Sequence, residues 1–193
     1  MIRLDRGDRR RRPAARPSRE SPVSPSSAAP GPSGPSVPVL RHHAEELFVD
    51  TPGEGLHEVT ESVAAVLGRA GVRLGTCTVF IRHTSASLLV QENADPSARR
   101  DLERWLARLA PPGDRLYTHV AEGPDDMPSH IRAALTATSL TIPVVDGRLT
   151  LATWQGVYVW EHRAAAHRRR VMVLVAGEAP EDAVITPRPA AST

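Results

Sequence analysis

The chain has no lysine. All 24 of its permanently cationic side chains are arginines, so a Gly-rich phosphate loop of the Walker type, which needs a lysine, is excluded. Cysteine occurs once, as Cys77. That count excludes an internal disulfide and fits a reducing compartment. Cys77 falls in the alternating run Thr76-Cys77-Thr78-Val79-Phe80-Ile81, on the face of Val79 and Ile81, and reads as a small buried hydrophobe. Aromatic residues make up 4% of the chain, too few for a platform on which nucleic-acid bases stack. No run approaches the roughly 18–20 consecutive apolar residues of a membrane-spanning helix. The N-terminus has arginines but lacks the apolar stretch of about 7–15 residues that marks a secretory signal. A cytoplasmic protein without membrane attachment is expected.

What is present is unevenly distributed. Residues 1–39 carry eight arginines against Asp5, Asp8 and Glu20, a net +5, whereas the whole chain has net charge +2. The remainder therefore sums to −3, and the basic pI of 9.3 belongs to the arm rather than to a nucleic-acid-binding face. Arg9-Arg10-Arg11-Arg12 offers at most weak contact with nucleic acid or another anionic surface. The same 39 residues hold eight of the 18 prolines, with Ser, Ala and Gly. Such a composition cannot bury enough apolar surface to offset its ordering entropy, so a disordered arm is expected. An over-called gene start would give the same composition. Residues 40–178 form the expected folded domain, and residues 179–193 a flexible tail.

Within the domain, a strand is expected from Leu40 to about Val49, followed by the turn Pro52-Gly53-Glu54-Gly55. A helix capped at Thr60 follows, with Val63, Val66, Leu67 and Ala70 as its apolar stripe and Gly71 as its stop. Strands over Thr76–Arg82 and Ser87–Gln91 precede a helix starting at Asp95-Pro96, where proline suits the first helical position. Ala98, Leu102, Trp105, Leu106 and Leu109 share its inner side, and Pro111-Pro112 ends it. A third, short helix opens at Pro128 and turns Ile131, Ala134 and Leu135 inward. Leu140–Val145 and Arg148–Thr153 flank Asp146-Gly147, a two-residue hairpin signal. Val157–Trp160 and Arg170–Ala176 read as a further pair around a solvated basic loop, Ala164–Arg169. Helices mixed with hairpins, without regular βαβ units, indicate an α+β fold with a mainly antiparallel sheet or sandwich and about three helices.

Four polar clusters sit where apolar runs hand over to loops: His83-Thr84-Ser85-Ala86-Ser87, Glu122 to His130, Thr153-Trp154-Gln155-Gly156, and Glu161-His162-Arg163. Rigid elements that deliver polar side chains to loops are where sites are built. His83 ends a strand on the Cys77 face and reads either as a bonded strand end or as a site residue. The hydroxyls of Thr84 and Ser85 suit a phosphate or carboxylate. Asp126 lies near a helix cap, and His130, four residues on, shares its side. Two adjacent acids and a histidine exceed what a cap requires; they suit a general base or O and N ligands for a divalent cation, Mg or Zn, with His119 as a further ligand. Asp125 or Asp126 also serves the cap. Trp154 is a core plug or a ligand contact, and Gln155 a hydrogen-bonding group for a ligand. Glu161 and Arg163 alternate to one face and His162 to the other, as a surface pair or as the rim of a pocket. The expected site therefore joins His83, Asp126, His130 and Glu161 as catalytic groups. Thr84, Ser85, Gln155 and Arg163 bind the substrate, and His119, Asp126 and His130 hold the metal.

These clusters, read in order with Glu92-Asn93-Ala94-Asp95-Pro96, Leu140-Thr141-Ile142-Pro143 and Gly177-Glu178, resemble the YjbQ-like proteins, an uncharacterised family. The similarity runs from about Leu40 to Glu178. It implies a compact α+β subunit assembled as a homotrimer, with pockets near subunit boundaries. It also implies the family's usual label, a secondary thiamine-phosphate synthase, which joins a hydroxymethylpyrimidine diphosphate to a thiazole phosphate and releases diphosphate. The alternative is a metal- or metabolite-binding trimer, non-catalytic or differently catalytic, in which the thiamine activity is incidental. Two departures stand out: Ala152 replaces a glycine before Thr-Trp-Gln, and Ala134-Leu135-Thr136-Ala137 replaces a Leu-Leu-Gly stretch. The N-terminal arm has no counterpart in the family pattern.

Overall fold

The structure, a computed structural model, describes residues 37–181. The expected arm and tail lie largely outside them. Strand pairing extends two residues beyond the expected domain limits at each end, with Pro38 opposite Pro180. In chain order the elements are β1 (Pro38–Thr51), β2 (Gly55–Glu58), α1 (Thr60–Ala70), β3 (Leu74–Ile81), β4 (Ala86–Glu92), α2 (Pro96–Leu109), α3 (Asp126–Leu135), β5 (Ser139–Val145), β6 (Arg148–Leu149), β7 (Gln155–Glu161) and β8 (His167–Pro180). Among the described residues the fold is α+β with antiparallel strands and three helices, as expected.

The strands form two sheets, ordered β1-β8-β3-β5-β6 and β2-β7-β4. Alternation decides what each face meets. Cys77, Val79 and Ile81 of β3 and Val171, Val173 and Val175 of β8 point into one core with the α1 stripe. From β7, Val157 and Val159 join that core, while Tyr158 and Trp160 point the other way, against Leu56 and Leu106 beneath α2. The small sheet is thus covered on both faces, so β7 is buried from Gly156 to Glu161.

Close backbone approach fixes the register at one point. Gly75 and Gly177 sit directly opposite on β3 and β8. A Cβ at Gly75 would lie 2.1 Å from the Ala176 carbonyl oxygen, so neither strand tolerates a side chain there. The hairpin between β5 and β6 turns on Asp146 (φ 54°) and Gly147 (φ 74°), both left-handed, as a two-residue type I′ turn requires.

Several local expectations are corrected. The strand β2 has no counterpart in the sequence reading; at four residues it is too short to show a period. The helix cap falls on Val59, and Thr60 is the first helical residue; its hydroxyl donates to Glu58 Oε1 at 2.8 Å and accepts from the Val157 amide at 2.9 Å. β7 and β8 do not pair: β7 lies between β2 and β4, and β8 between β1 and β3. The short segment between them carries the chain from one sheet to the other. α3 opens two residues before Pro128, which turns Ser129, Arg132 and Ala133 inward and leaves Leu135 59% exposed. Arg169, expected in a solvated loop, is buried within β8.

Candidate functional site

α3 supplies two of three converging ligand groups. Asp126 opens its first turn and is almost wholly buried; His130 stands one turn on. The cap position, Asp125, makes no side-chain capping bond. Its carboxylate instead accepts from Arg163 Nε at 3.1 Å and from the Ala164 amide at 2.9 Å. Burial opposes the charge on Asp125, but the Ala164 amide and the Arg163 guanidinium outweigh it and hold the carboxyl below its ordinary range. Arg163 also binds Asp126 Oδ1 through Nη1 and donates from Nη2 to the Glu122 carbonyl at 2.8 Å. One planar guanidinium thereby clamps the start of α3 to the exit of β7.

The other oxygen of Asp126 faces two imidazoles. Its Oδ2 lies 2.7 Å from His119 Nε2 and 3.4 Å from His130 Nε2, and the two rings stand 5.5 Å apart. One ligand atom from each of the three residues fits within a 4.8 Å span. Oδ2 is nevertheless a buried oxygen with no hydrogen-bond partner among the described residues, because the geometry toward the rings is not that of a hydrogen bond. His130 Nδ1 lies 3.0 Å from the Thr84 carbonyl, which can only accept. The Nδ1 proton is therefore assigned by its partner, and a neutral ring turns the Nε2 lone pair toward Oδ2. A carboxylate oxygen and the His130 lone pair converging on one point repel unless a proton or a metal cation lies between them, and His119 Nε2 adds a third donor atom at the same point. A backbone carbonyl on the remote nitrogen is the usual support of a metal-binding histidine. The residues present fit a divalent cation held at roughly 2.0–2.2 Å.

The remaining expected residues lie around this cluster or away from it. His83 accepts the Arg170 amide on Nε2 at 2.8 Å, and its Nδ1 lies 3.5 Å from Arg169. Burial first, then the Arg169 charge, lowers its pKa. Its ring is thus engaged away from the cluster, and it is the neighbouring Thr84 that touches His130, through its carbonyl rather than its hydroxyl. Ser85 likewise offers its carbonyl, to Arg169 at 3.4 Å. Glu161 is not at a rim. It is fully buried, with Oε1 accepting from the Arg163 amide and Arg169, and Oε2 from Thr51 at 2.7 Å and Arg169 Nε at 2.6 Å. Burial raises its pKa, yet these bonds, led by Arg169, bring it below the usual carboxylate range. Glu161 thus anchors Arg169 rather than facing a substrate. Gln155 starts β7 and Glu161 ends it, so roughly 20 Å of strand separates Gln155 from that end. The Gln155 Oε1 accepts the Ala152 amide at 2.9 Å, and the Trp154 ring is 64% exposed, so it is no core plug.

The sequence did not reveal the role of Arg163 as a clamp on both aspartates, nor the buried pair Ser87 Oγ and His162 Nε2 at 2.9 Å. Strand parity alone places His162 opposite Glu161. Only the β4–β7 register, with Ser87 facing Trp160, brings Ser87 near it.

Comparison with known proteins agrees with this architecture. The family described as UPF0047 protein YjbQ-like matches residues 45–178. The UPF0047 protein sll1880 of Synechocystis is 54% identical over 138 residues, covering 72% of this chain and 94% of that protein. The UPF0047 protein YjbQ of Escherichia coli O157:H7 is 39% identical over 137 residues, covering 70% and 99%. Among solved structures, the conserved hypothetical protein TT1486 of Thermus thermophilus superposes with a TM-score of 0.60 at 36% identity, covering 67% of this chain and 97% of that one. A YbjQ-like protein of unknown function from Sulfolobus solfataricus shares the fold, with a TM-score of 0.67 at 21% identity and coverage of 72% and 99%.

Proposed function

Since this chain belongs to the UPF0047 YjbQ-like family, we propose that it is a metal-dependent transferase acting on a phosphorylated small molecule, with His119, Asp126 and His130 holding one divalent cation. The observation that carries this reading is the buried Asp126 Oδ2, without a hydrogen bond among the described residues and faced by two imidazole nitrogens. Two nitrogen donors and one carboxylate suit zinc or a similar transition metal better than magnesium, which prefers oxygen ligands and water. Three protein ligands leave positions open, the pattern of a catalytic rather than a structural site.

The specific reaction is the one implied by the family label: joining a pyrimidine diphosphate to a thiazole phosphate with loss of diphosphate. When bound, the cation supplies the charge neutralisation that a departing diphosphate needs. The chain's own residues prepare the site. Arg163 fixes Asp126 so that Oδ2 faces the cluster, and Thr84 fixes the tautomer of His130. His83 already accepts a backbone amide on Nε2, so it is a weaker base than its sequence context suggests.

One observation favours the second reading, a metal- or metabolite-binding protein in which thiamine-phosphate formation is incidental. Arg163, the cation expected to receive phosphate, is engaged by Asp125 and Asp126. The assembly proposed for either reading is a homotrimer.

Purified protein is assayed for bound metal and for thiamine phosphate formed from the two phosphorylated precursors, alongside Asp126→Ala and His130→Ala. Loss of both metal and product in folded variants supports the transferase. Metal retained by the wild type with no product at any loading overturns it in favour of the binding reading.

A further inference from the structure

Between α2 and α3 the chain runs for 16 residues, 110–125, without a helix or strand. Connections of more than about 12–15 residues lacking regular structure are uncommon in compact domains and are usually either functional or plain linkers. This one is tied down at its ends. Arg132 Nη2 donates to the Ala110 carbonyl at 3.0 Å, and Arg163 holds Glu122 and Asp125. Its middle makes bonds to itself: the Tyr117 amide to the Asp114 carbonyl at 3.1 Å, the Leu116 amide to Asp114 Oδ1 at 2.9 Å, and the Gly123 amide to the Val120 carbonyl at 3.3 Å.

Burial does not anchor the middle either, since Leu116 and Val120 are 85% and 63% exposed. Among the described residues, the polar contact from 111–121 to the rest of the molecule is His119 with Asp126 and, ring to ring, His130. The segment curls over a recess of about 300 Å³ lined by Tyr117, His119, Val120 and Pro124 among others. Every lining residue belongs to the segment itself, so the recess exists only while the segment keeps this shape.

We propose that residues 110–125 form a flap latched by the metal through His119. The inference rests on the metal-site reading above. Two ligands, Asp126 and His130, sit on a rigid helix, and the third sits mid-loop, where its contact with that helix is the hold on the body. Metal bound to all three stabilises the closed loop by the difference in its affinity for the closed and open states. Removing the metal returns the loop to an open ensemble in which His119 leaves Asp126 and the recess loses its walls. Metal loading thereby shapes the recess that receives the part of a substrate lying beyond the cation.

The test is amide hydrogen exchange of the full chain, with zinc binding measured separately by calorimetry. In wild-type protein, zinc should slow exchange within residues 113–121 by about tenfold or more relative to protein with chelator. His119→Ala and His119→Gln should still bind zinc more weakly through Asp126 and His130, and at saturating zinc should show no such slowing. Zinc that binds wild type without slowing exchange overturns the latch and leaves the metal site standing. Zinc protection of 113–121 that persists in both variants also overturns it. Absence of calorimetric binding to wild type overturns the metal site and the latch together.

Discussion

At the scale of the residue, the site depends on which groups are already engaged. Arg163 looks from the sequence like an anion receptor, yet its guanidinium is committed to two aspartates and a carbonyl. It is therefore a positioning residue for Asp126. Arg163→Gln should weaken zinc binding about 10- to 100-fold, the usual effect of losing a group that orients a metal ligand. Arg163→Lys should recover only part, because an ammonium cannot span both carboxylates as a planar fork does. Calorimetric affinities equal to wild type in both variants would remove Arg163 from this role. His162 makes a separate prediction about pH. Burial, reinforced by the Arg132 charge, pushes its imidazole from the usual 6.5 down to about 3. The folded ring is therefore neutral where the unfolded ring takes up a proton. The contribution is intact above pH 6.5 and is lost as pH falls from 6.5 toward 3, by a few kcal/mol at full extent. Urea midpoints at pH 7, 5.5 and 4.5 should fall more steeply for wild type than for His162→Gln. Equal slopes would mean that the buried ring takes up its proton in the folded state.

Elements are legible in the sequence where a period is long and obscure where tertiary context decides. The α1 stripe, the β3 face and the Asp95-Pro96 helix start each follow from local pattern, and the structure buries or caps them as expected; the Asp95 side chain accepts the Ser97 amide at 2.7 Å. The pairing of β7 with β8 failed for a physical reason: sequence neighbours separated by a short loop read as a hairpin, and nothing local records that the chain changes sheets there. The inward face of α3 failed because Asp126, Ser129 and Arg132 are buried by polar partners, which an apolar count cannot see. The metal cluster was legible in part. Asp126 and His130 share a helix side by spacing, but the arrival of His119 depends on the course of an irregular segment. The two helix faces give opposite expectations for two leucines. Leu67→Ala, in the α1 stripe and 2% exposed, should cost about 2–5 kcal/mol in denaturant unfolding. Leu135→Ala, on the open side of α3, should stay within about 0.5 kcal/mol. Equal losses would mean that Leu135 is covered in solution, as by a neighbouring subunit.

At the scale of the whole molecule, among the described residues, the face of the larger sheet turned away from the core carries Phe80, Leu174 and Leu74 exposed. The proposed homotrimer should appear in light scattering as about 60 kDa from three chains of 20.9 kDa. A concentration-independent mass near one chain would exclude it, and with it any pocket shared between subunits. The 14 paired positions joining β1 to β8 carry a mechanical consequence. Because the strands are antiparallel and Pro38 faces Pro180, the described chain begins and ends at the same end of one ribbon. Tension applied through the two ends would load that ribbon at its tip and open it rung by rung, as a zipper, rather than shearing all its hydrogen bonds at once. A threading protease or translocation motor pulling on β1, the edge strand, would thus break one ladder rung by rung, whereas a pull on β8 also loads its ladder to β3. The His119–Asp126–His130 cluster, held on α3 and its flanking segment, belongs to neither ladder.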